Sequence, residues 1–351
     1  NLGHIMKHWD NEKIVVIVSA MGKTTNALEK VVEAFVADRK EDALQLFNQI
    51  KQQHLSTAKY VLVTNYLSCE KKLKDFFTEV EWLLHDKPVR DYDYYYDQIV
   101  CVGELLSTTI ISAYLNEIGI KNTWLDVRDI IRTDDDFRNA GIDWDFTKQR
   151  VEEIIKPSFE KTKIVMMQGF IGATDENEST TLGREGSDYT AAVFANMLDA
   201  ENVTIWKDVE SIMNADPKQF TDAIPIAELN YKETIEMAYY GAQIIHPKTI
   251  KPLQNKNIPL IVKCFIDPTL LGTLIHNNSI QNLPPIIVLK EKQVMLKVTT
   301  KDFSFVGDHE VRRLYQLFEA LHIKPNLTQI GAINFTCRKK SKSWHCKLLS
   351  F

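Results

Sequence analysis

Apolar residues along this chain fall into two rhythms. Short β-branched runs alternate with longer stretches in which apolar positions recur every three or four residues. Ile14-Val15-Val16-Ile17-Val18 and Ile164-Val165-Met166-Met167 read as buried strands. Val203-Thr204-Ile205-Trp206 and Pro259-Leu260-Ile261-Val262 read the same way. Leu28, Val31, Val32 and Phe35 give one apolar face to a helix that follows the first strand. Residues 40–90 read as amphipathic helix with few glycines, and Val100 to Leu115 as a helix around Gly103-Glu104-Leu105-Leu106-Ser107. The acidic and aromatic stretch Asp91 to Asp97 reads as a surface loop leading into that helix, with a lid as the alternative. Trp124-Leu125-Asp126 reads as a short strand end, and Asn1 to His8 as the end of a helix. Strands alternating with helices predict an α/β fold with a mainly parallel sheet covered on both faces. Ligands of such sheets bind at the carboxyl ends of strands. Ser19, Gly169, Lys207 and Asp208 all fall at such ends.

The pattern changes near Ile280. Asn277-Asn278-Ser279 and Pro284-Pro285 mark a linker, placed at 281–286. Alternating apolar residues from Ile286 to Thr300, a helix from Glu310 to Leu321 and a strand from Leu327 to Cys337 predict a β-α-β unit of a second, smaller domain at 287–351. The first domain then occupies 1–280.

Bulk properties narrow the class. With 351 residues the chain is long enough for two domains, and 44% hydrophobic with 25% charged residues is ordinary for a globular protein. A formal net charge of −5 argues against a nucleic-acid partner. The basic run Arg338-Lys339-Lys340-Ser341-Lys342 reads as a solvated surface or tail. Cys69, Cys101, Cys264, Cys337 and Cys346 are scattered without CxxC spacing, which fits free thiols in a reducing compartment. The first residues carry His4, Lys7, His8 and Asp10 instead of an apolar signal region, and apolar runs such as Ile14 to Ala20 are too short to cross a bilayer. These features point to a cytoplasmic protein with no membrane partner.

Candidate chemistry concentrates in two places. After the first strand, Ser19-Ala20-Met21-Gly22-Lys23-Thr24-Thr25-Asn26 makes a polar, small-residue turn into a helix, as in phosphate-binding α/β units. In Thr180-Thr181-Leu182-Gly183-Arg184-Glu185-Gly186-Ser187-Asp188-Tyr189, two glycines bracket an Arg-Glu pair, and Ser187 and Asp188 stand where a helix begins. Helix N-termini attract anions, Ser and Asp cap them, and Arg184 offers a planar fork for a carboxylate or phosphate. A glycine loop before an ordinary helix would look alike. His246, between Ile245 and Pro247, reads as a packed structural histidine, and Trp206 as core.

Taken in order, these motifs resemble the aspartate kinases of the amino-acid kinase superfamily, which carry C-terminal ACT domains. The matches are Val18-Ser19-Ala20-Met21-Gly22 with Thr25-Asn26, Val102 to Ser107, Gly169-Phe170-Ile171-Gly172, the Thr180 to Ala192 block, and Ile205-Trp206-Lys207-Asp208-Val209. Asn214-Ala215-Asp216-Pro217-Lys218, Tyr240 to Thr249 and Gly272-Thr273-Leu274-Ile275 complete the series, and Asp302-Phe303-Ser304-Phe305 resembles the first ACT unit.

The resemblance implies a three-layer αβα kinase fold with a ferredoxin-like ACT region. It also implies transfer of the γ-phosphoryl group of MgATP to the β-carboxylate of L-aspartate, the first step toward lysine, threonine and methionine. On this reading Arg184 clamps a carboxylate, Glu104 meets the ammonium, and Asp188 orients the reacting groups. Ser19, Thr25 and Ser187 contact substrate. Lys207, Asp208, Met213, Lys218 and Gln243 serve the nucleotide. ATP and Mg2+ are the cofactors, and no residue is assigned as a metal ligand. Lysine or threonine is the implied effector, and pairing of ACT units implies a homodimer. Asp208 and Asp216 also read as simple turn residues.

Three positions depart from the family pattern: Lys207 for a threonine, Ser211 for a glycine and Gln243 for a lysine. The family's Lys-Phe-Gly-Gly motif is not in the chain, so a segment carrying it is expected before Asn1, and the ACT region is expected to be incomplete. The competing readings are another amino-acid kinase, or a catalytically inactive ACT-type amino-acid sensor.

Overall fold

The structure, a computed structural model, describes residues 3, 5, 12–242, 244–321, 323 and 325–340, the side chain of Lys340 excluded. Most of the stretch Asn1 to His8 therefore lies outside the described residues.

The β-branched run forms β1 (Ile14–Val18) and leads through the Ser19–Lys23 turn into α1 (Thr24–Val36). Leu28, Val31, Val32 and Phe35 are the buried stripe of α1. Two long helices, α2 (Lys40–Val61) and α3 (Tyr66–His85), add Phe47 and Ile50, then Leu73, Phe76, Phe77 and Val80, to the same core.

Next come α4 (Tyr92–Val100) and α5 (Val102–Glu117). The loop expected at Asp91 to Asp97 is thus helix from Tyr92 onward. Tyr and Asp are mediocre helix formers, but burial decides here. Tyr95 and Asp97 are inside, and the Tyr94 ring meets Tyr95 at 5.1 Å and Phe137 at 5.2 Å, both edge-on. The stretch Tyr92–Glu117, 26 residues with a window hydropathy of 1.4, is also long and apolar enough to span a bilayer, contrary to the sequence reading. With 78% of that window buried inside the molecule, it is a core element.

β2 (Asn122–Trp124) precedes α6 (Trp144–Arg150) and the fully buried β3 (Ile164–Gln168). β1, β3 and β2 pair in that order, all parallel. A hairpin follows, β4 (Ile171–Ala173) and β5 (Ser179–Thr181), and then α7 (Gly186–Leu198).

The second half of the α/β domain contains β6 (Val203–Lys207), β7 (Glu228–Asn230), α8 (Tyr231–Tyr240), α9 (Pro247–Lys256), β8 (Leu260–Cys264) and β9 (Thr273–His276). Its sheet order is β6-β8-β9-β7. β6–β8 and β7–β9 are parallel and β8–β9 is antiparallel, which gives the mainly parallel α/β fold expected. Ile205, Leu229, Leu260, Val262 and Ile275 form its core, separate from the core around α1–α5. α7 belongs to both, with Val193 and Phe194 facing the first core and Ala192 and Ala195 the second.

The C-terminal unit consists of β10 (Gln293–Thr299), α10 (Asp308–Ala320), β11 (Leu327–Ile330) and β12 (Asn334–Lys340), ordered β10-β12-β11 and antiparallel throughout. α10 starts close to the Glu310 expected, and the Glu310 carboxylate accepts from the Gly307 N–H at 3.0 Å and fixes the helix start. The single strand expected from Leu327 to Cys337 is a hairpin. It turns at Gly331–Ile333, where the Gly331 N–H donates to the Asn334 carbonyl at 2.8 Å. Cys69, Cys101, Cys264 and Cys337 are buried free thiols, and Cys346 lies outside the described residues.

Candidate active site

The carboxyl ends of β1, β3 and β6 converge on a cavity of about 500 Å³. Its wall contains Ser19, Thr25, Glu104, Arg184, Ser187, Asp188 and Lys207, all expected from the sequence. It also contains Tyr96, Arg138, Phe170, Thr181 and Glu185, which the sequence reading did not assign.

Close backbone approach builds this wall. A Cβ on Gly169 would lie 2.5 Å from the Ser187 Cβ and 2.7 Å from its Cα, so only glycine lets the exit of β3 touch the start of α7. A Cβ on Gly103 would stand 3.1 Å from the Ala20 Cβ and 3.2 Å from Leu28 Cδ1. That glycine lets α5 press against the β1–α1 turn and brings Glu104 under it.

Glu104 is 3% exposed. Its Oε1 accepts from the Ala20 N–H at 3.2 Å, and its Oε2 meets no hydrogen-bond partner among the described residues. Burial pushes its pKa up to about 8, opposed in part by the Ala20 hydrogen bond. A buried acid with one oxygen unpartnered is suited to a cationic ligand group.

α7 begins differently from the expectation. Its first residue is Gly186, preceded by Glu185 at φ +54, and no side chain caps it. Ser187 and Asp188 sit one and two residues inside, with their side chains turned elsewhere. The Ser19 hydroxyl donates to the Ser187 hydroxyl at 2.8 Å, and Asp188 pairs with Lys207 at 3.2 Å. The Gly186 and Tyr189 N–H groups donate to the Gly183 and Glu185 carbonyls, while those of Ser187 and Asp188 meet no side-chain acceptor among the described residues, the arrangement that favours an anion.

Lys207 closes β6. Its Nζ lies between Asp188 and the Ile244 carbonyl, to which it donates at 2.6 Å. Burial raises the Asp188 pKa, and the Lys207 charge opposes that shift. The pair therefore holds a cation at the wall of the cavity with its position set from two sides.

Three of the assigned residues are not brought to this wall. Asp208 is exposed just beyond β6. Met213 is half-buried, bridged through its backbone to Pro225 and touched by the Ser211 hydroxyl at its sulfur, 3.6 Å away. Lys218 is exposed, its N–H donating to Asp216 Oδ1 at 2.9 Å in a turn. Gln243 lies outside the described residues. Trp206 is half-buried instead of core, with the Lys263 ammonium 5.6 Å from its ring centre. The His246 ring caps α9, accepting from the Lys248 N–H at 3.2 Å.

A strand–turn–helix unit, a glycine cradle and a lysine–carboxylate pair surround one cavity, and the Amino acid kinase family model matches residues 2–264. The chain belongs to that family. Among the similar proteins are aspartokinases. Aspartokinase 1, chloroplastic, of Arabidopsis thaliana is 31% identical over 354 residues, covering 96% of this chain and 60% of the relative. Lysine-sensitive aspartokinase 3 of Escherichia coli K12 is 32% identical over 285 residues, covering 80% and 62%. The solved structure of E. coli aspartokinase III in complex with lysine and aspartate, in the T-state, superimposes with a TM-score of 0.82 at 26% identity, covering 97% of this chain and 75% of that one. The R-state with aspartate and ADP gives 0.80 at 26% identity, covering 97% and 74%. The chain spans about 60% of the length of the first Arabidopsis relatives it matches.

Proposed function

We propose that this chain phosphorylates the β-carboxylate of L-aspartate with MgATP, as the catalytic part of an aspartate kinase. The observation that carries the reading is the charge layout of the cavity. The unpartnered oxygen of buried Glu104 shares one wall with Arg184 and with the Asp188–Lys207 pair. Aspartate presents one ammonium and two carboxylates. Glu104 takes the ammonium, Arg184 a carboxylate, and Ser19, Thr25 and Ser187 hold the reacting end. The aspartokinase III structures bound to aspartate and to ADP support this choice of substrates.

In the reaction a β-carboxylate oxygen attacks the γ-phosphorus, the bond to the ADP oxygen breaks, and 4-phospho-L-aspartate and ADP leave. The nucleophile is already an anion, so no strong general base is needed. Phosphoryl transfer asks chiefly for positioning and charge neutralisation. Asp188 holds Lys207 where negative charge accumulates, and the N–H groups of α7 add to it. MgATP supplies the phosphoryl group and its metal. Asp208, Met213, Lys218 and Gln243, all after β6 in the chain, are the proposed nucleotide contacts.

The proposed domain limits are 1–280, 281–286 and 287–351. A homodimer joined through the C-terminal unit, a lysine or threonine effector and a cytoplasmic site are further parts of the proposal. The lysine in the T-state structure supports the effector. The exposed apolar residues Val294, Met295 and Leu296 of β10 support the pairing.

A hydroxamate assay for aspartyl phosphate tests the reading. The protein is expected to be active with aspartate and MgATP, and Arg184→Ala to lose about 10²- to 10³-fold in kcat/KM. A folded wild-type protein without turnover would overturn it and favour the sensor reading.

A further inference from the structure

We propose that Arg138 is a second carboxylate clamp, which recognises the α-carboxylate of the acidic amino acid in exchange for its present partner Asp93. The inference rests on the aspartate-kinase reading and adds a specificity-determining residue to it.

Arg138 lines the same cavity as Arg184, although it belongs to the loop between β2 and α6. Its backbone is held at φ +67, a region that a side chain adopts at a cost. Two contacts keep it there. Its N–H donates to Asp97 Oδ2 at 2.9 Å, and its carbonyl lies on Gly183 in the glycine cradle, where a Cβ would come within 3.2 Å of it. Strain at a site-lining residue, fixed by a buried acid, points to a side chain that must reach one place.

The guanidinium is presented as a planar plate. Its carbon lies 4.4 Å from the Tyr96 ring centre and 5.6 Å from that of Tyr92. Nη1 donates to Asp93 Oδ1 at 2.9 Å, and among the described residues Asp93 is the one acceptor it meets. Both partners are more than two-fifths exposed, with side-chain values of 42% and 56%. That pair is therefore weak and easily exchanged. Arg138 and Arg184 are the two arginines that line this cavity. The reacting carboxylate, held by Ser19, Thr25 and Ser187, must face the phosphoryl donor without an arginine across it. Arg138 and Arg184 bracket Gly183, and both can serve the end that does not react.

The test uses the full chain, with KM for L-aspartate, KM for ATP and kcat measured separately, and isoasparagine, whose α-carboxylate is an amide, as competitor. Arg138→Ala should raise the KM for aspartate about 10- to 100-fold, the range of a charge-assisted hydrogen bond. It should leave the KM for ATP within about twofold and erase the preference for aspartate over isoasparagine. Arg138→Lys should restore charge without the fork and recover part of the loss. Asp93→Asn should lower the KM for aspartate. A KM for aspartate within about twofold of wild type in Arg138→Ala, with discrimination intact, overturns the proposal. If the wild type turns over no aspartate, the functional reading fails. Arg138 is then judged by calorimetric binding of L-aspartate to wild type and Arg138→Ala, and absent or equal binding removes the clamp as well.

Discussion

Glu104 is the residue at which burial and function pull in opposite directions. A carboxyl at 3% exposure with its pKa near 8 keeps a proton that the unfolded chain has already released at its ordinary value of 4.5. The folded state therefore binds more protons over that interval, and stability falls as pH climbs from about 4.5 to about 8. Glu104→Gln keeps the shape and removes the titration. Its urea midpoint is expected to match wild type at about pH 5 and to exceed it at about pH 8. Substrate binding runs the other way. An ammonium beside Oε2 favours the ionised acid, so the KM for aspartate should fall as pH rises toward about 8, and the variant should show a high, flat KM. A Glu104→Gln profile that follows wild type in both assays would remove Glu104 from the ammonium site.

At the scale of elements, Asp97 ties the site together. This carboxylate is fully buried on α4. It accepts from the Arg138 N–H at 2.9 Å, and from the Thr181 N–H and hydroxyl, each at 2.7 Å. One side chain thus joins α4, the loop before α6 and β5, and all three reach the cavity. Burial lifts its pKa to about 6 against those hydrogen bonds. Asp97→Ala would leave three donors unpaired, two of them on Thr181. At about 1–3 kcal/mol for each buried donor without a partner, a loss of roughly 3 kcal/mol or more is expected in chemical denaturation, with Asp97→Asn losing less. A loss below about 1 kcal/mol would show that the donors find other acceptors.

This tie also marks where the sequence stopped being readable. β1, β3, β6 and β8 were legible because β-branched runs of strand length carry their own signal. The cradle was legible because glycines beside charged residues stand out locally, and Glu104 was legible through the family resemblance around Val102 to Ser107. α4 was not, since Tyr-Asp-Tyr-Tyr-Tyr-Asp has no apolar period and becomes helix only when Phe137 and the first core receive its rings. Arg138 and Tyr96 were hidden for the same reason, because their place depends on an element the pattern does not announce. Ser187 and Asp188 look like caps in any local reading. Their partners Ser19 and Lys207 are distant in the chain and visible only in three dimensions.

For the whole molecule the decisive arrangement is α7 lying between two cores, with the cavity at its first turn. Ser19 and Glu104 come from the first core's side, Lys207 from the second, and Asp188 on the shared helix faces the cavity with them. Unfolding one core removes a face of α7 from the other, so residues 12–276 should melt as one cooperative unit. The C-terminal unit differs. Among the described residues its own buried cluster is Phe318, Phe335 and Cys337, too small to match that cooperativity. Calorimetry of the full chain is therefore expected to show a weak early transition and a main one. Ligand near 100 times its Kd adds about 2.7 kcal/mol to whatever unit binds it, and a kilocalorie moves a unit of this size by about 2–4 °C. L-aspartate with a non-hydrolysable ATP analogue should then raise the main midpoint by roughly 5–10 °C and leave the early one in place. If the early transition moved equally, or if a single transition carried all the heat, the C-terminal unit would be part of the same cooperative body. An effector bound there would then act on the site directly through a shared fold, without the two-state equilibrium between separate units that regulation through a detachable unit requires.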